Sequence, residues 1–320
     1  MRIVVLAGGI GGARFLLGVR ALAARLDAEV TAVVNVGDDV TLHGLRICPD
    51  LDSVMYTLGD AADPDRGWGR RGETWVIKEE LAAYGAEPSW FGLGDKDTAT
   101  HLVRTRMLDA GHPLSAVTEA LCARWQPGVR LLPATDDRVE THVVVTVDGQ
   151  AQAVHFQEWW VRHRAALPAT RFVFTGAEAA KPAAGVLDAL ASADVVLVAP
   201  SNPVVSIAPI LAVAALREAV VTGPAPVVGV SPIIGDAPVR GMADKCLAAL
   251  DVECSPAGVG RLYGARSSGG VLDGWLVDTT DEATAVPGVA VRAVPLWMTD
   301  EAATEAMVRE ALTVAGVGDA

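Results

Sequence analysis

Positive charge is scarce in this chain. Lys and Arg number 26 against 39 Asp and Glu, for a formal net charge of −13 over 320 residues. Non-specific nucleic-acid binding needs a basic face, and attraction to an anionic membrane needs basic clusters, so neither partner is expected. Cysteine is also rare. Cys48, Cys122, Cys246 and Cys254 form no Cys-x-x-Cys pair, which argues against a zinc or thiol-redox centre. No run approaches the ~20 apolar residues of a membrane span. The N-terminal apolar run is too short for a secretory signal and passes straight into glycines. A reduced cytoplasm is the expected location. No Ser–His–Asp or Cys–His arrangement is recognisable, so acyl transfer is not supported. An anionic substrate would need local cations or a metal ion against this acidic background.

Apolar residues, by contrast, make up 51% of the chain. The length is long for one core and short for two, so the expectation is a single α/β domain over 1–320 with an inserted subdomain around 59–165. The apolar run Ile3–Ala7 reads as a buried parallel strand. Gly8-Gly9-Ile10-Gly11-Gly12 follows it, and Phe15, Leu16, Val19, Leu22 and Ala23 then recur at helical spacing. Strand, glycine turn and helix in that order offer backbone N–H groups to a phosphate. The turn is no P-loop, because no Gly-Lys-Ser/Thr follows. It is a poor dinucleotide fingerprint too, with Arg14 at the third glycine position and Asn35 where the second strand should end in an acid.

Along the chain, a second strand is expected at Glu29–Val36 and a helix at Asp52–Leu58. Gly59–Gly72 is rich in Gly, Asp, Pro and Arg and reads as a surface loop or lid. Helices are expected at Thr74–Tyr84, Thr98–Ala110 and Leu114–Trp125, and a hairpin at Val139–Val147 and Ala151–Phe156 turning on Asp148-Gly149. Alternation then resumes with strand Ala193–Ala199, helix Ile207–Leu216, strand Val227–Val230, a helix over 240–250, strands Trp275–Val277 and Val289–Val294, and helix Thr299–Val314 with Thr299 as N-cap. The pattern implies a Rossmann-like three-layer sandwich on a mostly parallel sheet.

Several polar groups fall at expected strand ends. Asn35-Val36-Gly37-Asp38-Asp39 carries two carboxylates able to hold a divalent cation, or forms a solvated turn. Cys48-Pro49-Asp50-Leu51-Asp52-Ser53 follows a dozen residues later. Helix capping explains one of its aspartates but not easily both, and Asp50 and Asp52 lie close enough to Asp38 for the two acidic groups to converge on one metal. Gly92-Leu93-Gly94-Asp95-Lys96-Asp97 precedes a helix and makes Lys96 and Arg104 candidate phosphate partners. Pro200-Ser201-Asn202-Pro203 is a stiff loop after a buried strand. The adjacent Trp159 and Trp160 suit either ring stacking or core packing. Clustered aspartates beside a phosphate turn favour metal-assisted phosphoryl or nucleotidyl chemistry over hydride transfer.

Taken in order, Ala7-Gly-Gly-Ile-Gly-Gly, Val34-Asn-Val-Gly-Asp-Asp39, Cys48-Pro-Asp-Leu-Asp-Ser, Leu93-Gly-Asp-Lys-Asp, His155-Phe-Gln-Glu-Trp-Trp, Pro200-Ser-Asn-Pro, Ser231-Pro-Ile-Ile-Gly and Leu296-Trp-Met-Thr-Asp resemble the 2-phospho-L-lactate transferase family of coenzyme F(420) biosynthesis. The likeness is greatest to its actinobacterial branch, phosphoenolpyruvate transferase. The resemblance implies that the ribityl hydroxyl of the deazaflavin Fo attacks the phosphate of a GDP-linked three-carbon acid, enolpyruvyl or lactyl, and releases GMP. It also implies a requirement for Mg2+ and a homodimer. Gly9, Gly11, Gly12 and Arg14 would face the diphosphate, Asp38 and Asp50 would hold magnesium with Asp39 or Asp52 in support, and Ser201 and Asn202 would contact the guanosine diphosphate group. Asp50 would also orient or deprotonate the attacking hydroxyl, and Asn35 and Lys96 would complete the substrate site. Where archaeal members carry a basic residue before Leu-Gly-Asp, this chain has Gly92. The alternative is a related, non-catalytic nucleotide-sugar-binding regulator of the gluconeogenesis-factor family. Its counterpart of Pro49–Ser53 has one carboxylate and a cation, where this chain has Asp50 and Asp52.

Overall fold

The computed structural model describes residues 1–318. Its centre is a seven-stranded parallel sheet in the order Ala290–Ala293, Gly274–Val277, Val227–Val230, Val195–Val198, β1 (Arg2–Ala7), β2 (Glu29–Val34) and Arg130–Pro133. Numbered along the chain, these strands run 3-2-1-4-5-6 with a seventh at the edge. The order reverses between β1 and Val195–Val198, and ligands in such sheets bind beyond the strand ends at that reversal. β1, Val195–Val198 and Val227–Val230 are buried over nearly their whole length, which is why they read as unbroken apolar runs rather than alternating ones.

Helix α1 (Gly9–Arg25) starts one residue after the sheet leaves off. The glycine run is therefore the first turn of the helix rather than a loop before it. The inward face of α1 places Phe15, Leu16, Val19 and Leu22 against the sheet, and its far side packs on the C-terminal helix Glu301–Val314. Helix α2 (Pro49–Leu58) also begins earlier than expected, with Pro49 in its first turn, so Asp50 and Asp52 lie inside the helix instead of capping it.

The expected insertion around 59–165 is divided by the edge strand Arg130–Pro133. Before that strand come helices Val76–Ala83, Asp95–Asp109 and Leu114–Trp125. After it come Glu140–Val147, Gln150–His155 and a third antiparallel strand, Ala169–Thr175, that the sequence reading missed. The Asp148-Gly149 turn has both residues at positive φ, as a tight hairpin turn requires. The single helix expected at Ile207–Leu216 is instead a π-helical turn (Pro203–Ile207), a short helix (Ala208–Leu211) and a separate helix (Ala214–Thr222). Asp300, not Thr299, caps the last helix, its carboxylate accepting from Ala303 N at 2.8 Å. Among the described residues, no single helix is long and apolar enough to cross a membrane.

Candidate active site

The ends of β1, β2 and Val195–Val198 meet where the strand order reverses. Ser201 locks the floor: its hydroxyl donates to Gly8 O at 2.8 Å and accepts from Gly8 N at 3.1 Å. That clasp holds the last residue before α1 against the loop after Val198. Gly8 has no room for a side chain, since a Cβ there would lie 2.5 Å from Asp50 Oδ2 and 2.8 Å from Ser206 Cβ. The N-terminus of α1 thus has a protein anion against it, the Asp50 carboxylate, toward which the Gly9 backbone N–H donates.

Asn35, one residue past β2, is fully buried and spends its side chain on the protein. Its Nδ2 donates to Asp50 Oδ2 at 2.9 Å, to Asp38 Oδ1 at 3.3 Å and to Val205 O at 3.1 Å, while its Oδ1 accepts from Gly37 N at 2.8 Å. One amide therefore gathers two carboxylates from different elements. Burial, with the charge of Asp50 next, pushes the Asp38 carboxyl well above the usual carboxylate range, against the Asn35 hydrogen bond. Burial likewise pushes Asp50 up to about 7, against hydrogen bonds from Asn35 and Gly9.

The two supporting aspartates are turned elsewhere. Asp39 pairs with Arg46 at 3.0 Å and accepts from the Cys48 thiol at 2.9 Å; burial still pushes its carboxyl up to about 6. Asp52 is gripped by both guanidinium nitrogens of Arg104, whose Nη1 also lies 3.1 Å from His101 Nδ1. Asp97 takes the other ring nitrogen of His101 at 3.4 Å and the Tyr56 hydroxyl at 2.7 Å. Asp52, Asp97 and His101 are close enough together to suggest a metal trio, but Arg104 already occupies both oxygens of Asp52. Arg104 is accordingly an internal counter-ion and not a phosphate partner. Of the four buried aspartates at this site, Asp39 and Asp52 have arginine partners, and Asp38 and Asp50 have only the neutral Asn35 amide and a backbone N–H group.

The other expected contacts are dispersed. Gly11 and Gly12 lie in the first turn of α1 against Pro200 and Ser201. Arg14 is exposed on α1, and no hydrogen bond or ion pair engages it among the described residues. Lys96 is not brought to the carboxylates; its ammonium donates to Arg71 O at 3.0 Å. Asn202 caps the π-helical turn, accepting from Val204 N at 2.9 Å, and its Nδ2 points to Cys246 Sγ at 3.6 Å. Trp159 is core, with its indole N–H on Leu167 O. Sequence reasoning missed Arg46, which folds back seven residues onto Asp39, and Ser206 and Cys246, whose partners Gly8 and Asn202 lie far away along the chain. It also missed a cavity of about 620 Å³ walled by Trp75, Trp90, Phe91 and Leu93 with His43 at its edge, which lies beside the Gly92–Asp95 turn rather than on the carboxylate pair.

Known proteins resemble this chain in sequence and fold. A family model described as 2-phospho-L-lactate transferase CofD matches residues 3–313. A protein named phosphoenolpyruvate transferase from Nocardia farcinica is 65% identical over 99% of this chain and 95% of its own length. Proteins of the same name from Streptomyces griseus (63%; 98% of each chain) and Mycolicibacterium smegmatis (60%; 99% of each chain) are also similar. A crystal structure of a UPF0052-family protein from Bacillus halodurans shares the fold, with a TM-score of 0.60 at 19% identity over 96% of this chain and 98% of that one.

Proposed function

Because the chain belongs to the 2-phospho-L-lactate transferase family, we propose that it transfers a three-carbon acid phosphate from a GDP-linked donor to the ribityl hydroxyl of the deazaflavin Fo. The observation that carries this reading is the Asp38–Asp50 pair. Two buried carboxylates without a cationic partner beside a helix N-terminus repel a diphosphate unless a divalent cation stands between them. The donor set is all oxygen, which suits magnesium rather than zinc. Asp38 and Asp50 would hold the ion; when bound, it would neutralise charge developing on the phosphate oxygens.

The protein groups do the rest. Asn35 keeps both carboxylates aligned, and Ser201 holds the floor of the site rigid through Gly8. Asp50 orients the acceptor hydroxyl, and its raised proton affinity suits it to take the hydroxyl proton. As the new oxygen–phosphorus bond forms, the bond to the GMP phosphate oxygen breaks and GMP leaves. The aromatic cavity beside Leu93 offers flat, apolar walls to the acceptor's ring. The relatives named phosphoenolpyruvate transferase favour the enolpyruvyl donor.

Mass spectrometry of the product made from Fo with enolpyruvyl- and lactyl-diphosphoguanosine tests the assignment. A phosphodiester of Fo with the enolpyruvyl unit, plus one GMP per turnover, is expected. No Fo adduct with either donor would remove the transferase reading.

A further inference from the structure

The segment Ala61–Arg71 leaves the end of α2 on the β2 side of the sheet and is anchored firmly at its base. Arg71 N donates to Ala61 O at 2.8 Å. The Arg70 guanidinium stacks 4.8 Å from the Trp125 ring centre and donates to Lys96 O at 2.8 Å. Its tip, Arg66–Gly69, reaches to the other side of the strand reversal and meets the loop that follows Val227–Val230. There Arg240 Nη2 lies 3.4 Å from Arg66 O. Gly67 sits directly over that guanidinium with φ of +73°, and a Cβ on Gly67 would collide with Nη2. The strap therefore spans the crevice and leaves a glycine gap for one arginine.

Several arginines, Arg14 among them, have no acidic partner among the described residues; Arg240 is the one that the strap tip covers. Arg46, Arg66 and Arg104 are each spent on an aspartate. Arg240 has no acidic partner among the described residues, and its one hydrogen bond is a long one to a neutral carbonyl. A charge-assisted bond to a phosphate oxygen is about twice as strong as a neutral one, so an incoming anion would displace that contact readily. Six residues further on, Cys246 meets Asn202, three residues before the Val205 carbonyl that Asn35 holds, so the run 240–246 leads from the strap tip toward the loop that walls the carboxylate pair.

We infer that Arg240 is the cation that receives the diphosphate of the donor under the tip of the Ala61–Arg71 strap, giving up the Arg66 carbonyl to do so. This inference rests on the GDP-linked donor proposed above. The test is titration of GDP with MgCl2 into the wild type, Arg240→Met and Arg240→Lys by calorimetry, with unfolding midpoints measured without ligand. Arg240 is exposed and makes one long bond, so the midpoints should agree. Arg240→Met should weaken GDP binding by about 10- to 100-fold, with Arg240→Lys recovering part of it. In turnover the KM for the donor should rise while the KM for Fo stays constant. Equal GDP affinity in wild type and Arg240→Met would overturn the role of Arg240 and leave the transferase reading standing. No GDP binding by the wild type would overturn both.

Discussion

Asp50 Oδ2 accepts a 2.9 Å hydrogen bond from Asn35 Nδ2, joining the first turn of α2 to the end of β2. The same nitrogen reaches Asp38 Oδ1, so the spacing of the two carboxylates is set by a single amide. Replacing Asp50 by Asn keeps the shape and removes the charge. Asp50→Asn is expected to abolish transfer, measured as GMP release, while leaving the circular dichroism spectrum unchanged. Full activity in this variant would refute the role given to Asp50.

The same substitution has a pH signature. The Asp50 carboxyl is raised to about 7 in the folded protein, above its ordinary value near 3.8. Between those values the folded state holds a proton that the unfolded state has lost, so this group favours folding at low pH and that contribution fades as pH rises toward 7. The unfolding midpoint of Asp50→Asn should match wild type near pH 4 and exceed it progressively up to about pH 7 without metal. A difference independent of pH would contradict the assignment.

Chelation gives a third outcome. EDTA should stop turnover, and excess MgCl2 should restore it. Because ligation requires ionised carboxylates, calorimetric Mg2+ affinity should rise with pH through about 7. Turnover undiminished in EDTA would remove the metal role of Asp38 and Asp50.

Gly8→Ala tests the close approach at the floor. The added methyl would sit 2.5 Å from Asp50 Oδ2. It should displace the carboxylate and cost about 1–3 kcal/mol of stability in denaturant titration, with loss of activity larger than the loss of folded protein.

Arg104→Met leaves Asp52 buried without its cation and should cost about 3–5 kcal/mol. The double variant Arg104→Met/Asp52→Leu removes both charges and should recover most of that loss. A double variant as unstable as the single would show that the ion pair itself, not the stranded charge, carries the stability.

Much of this architecture was legible in the chain itself. Buried strands such as Val227–Val230 and the amphipathic face of α1 follow from local apolar patterning, so the α/β class and the crevice at the glycine turn could be read directly. The candidate carboxylates were legible too, because Asp38 follows the second strand and Asp50 recurs a dozen residues later behind Pro49. Which aspartates stay free was not. That depends on Arg46 folding back from a hairpin and on Arg104 arriving from a helix 52 residues beyond Asp52, and no local pattern encodes a pairing across that distance. Asn35, Ser201 and Lys96 look alike as polar residues in turns, yet packing assigns the first two to the floor and the third to the strap. Sequence alone determined the sheet, the turn and the supply of acids. Tertiary structure decided which of them are neutralised, because burial makes an unpaired charge costly and only the folded chain brings each arginine to its partner.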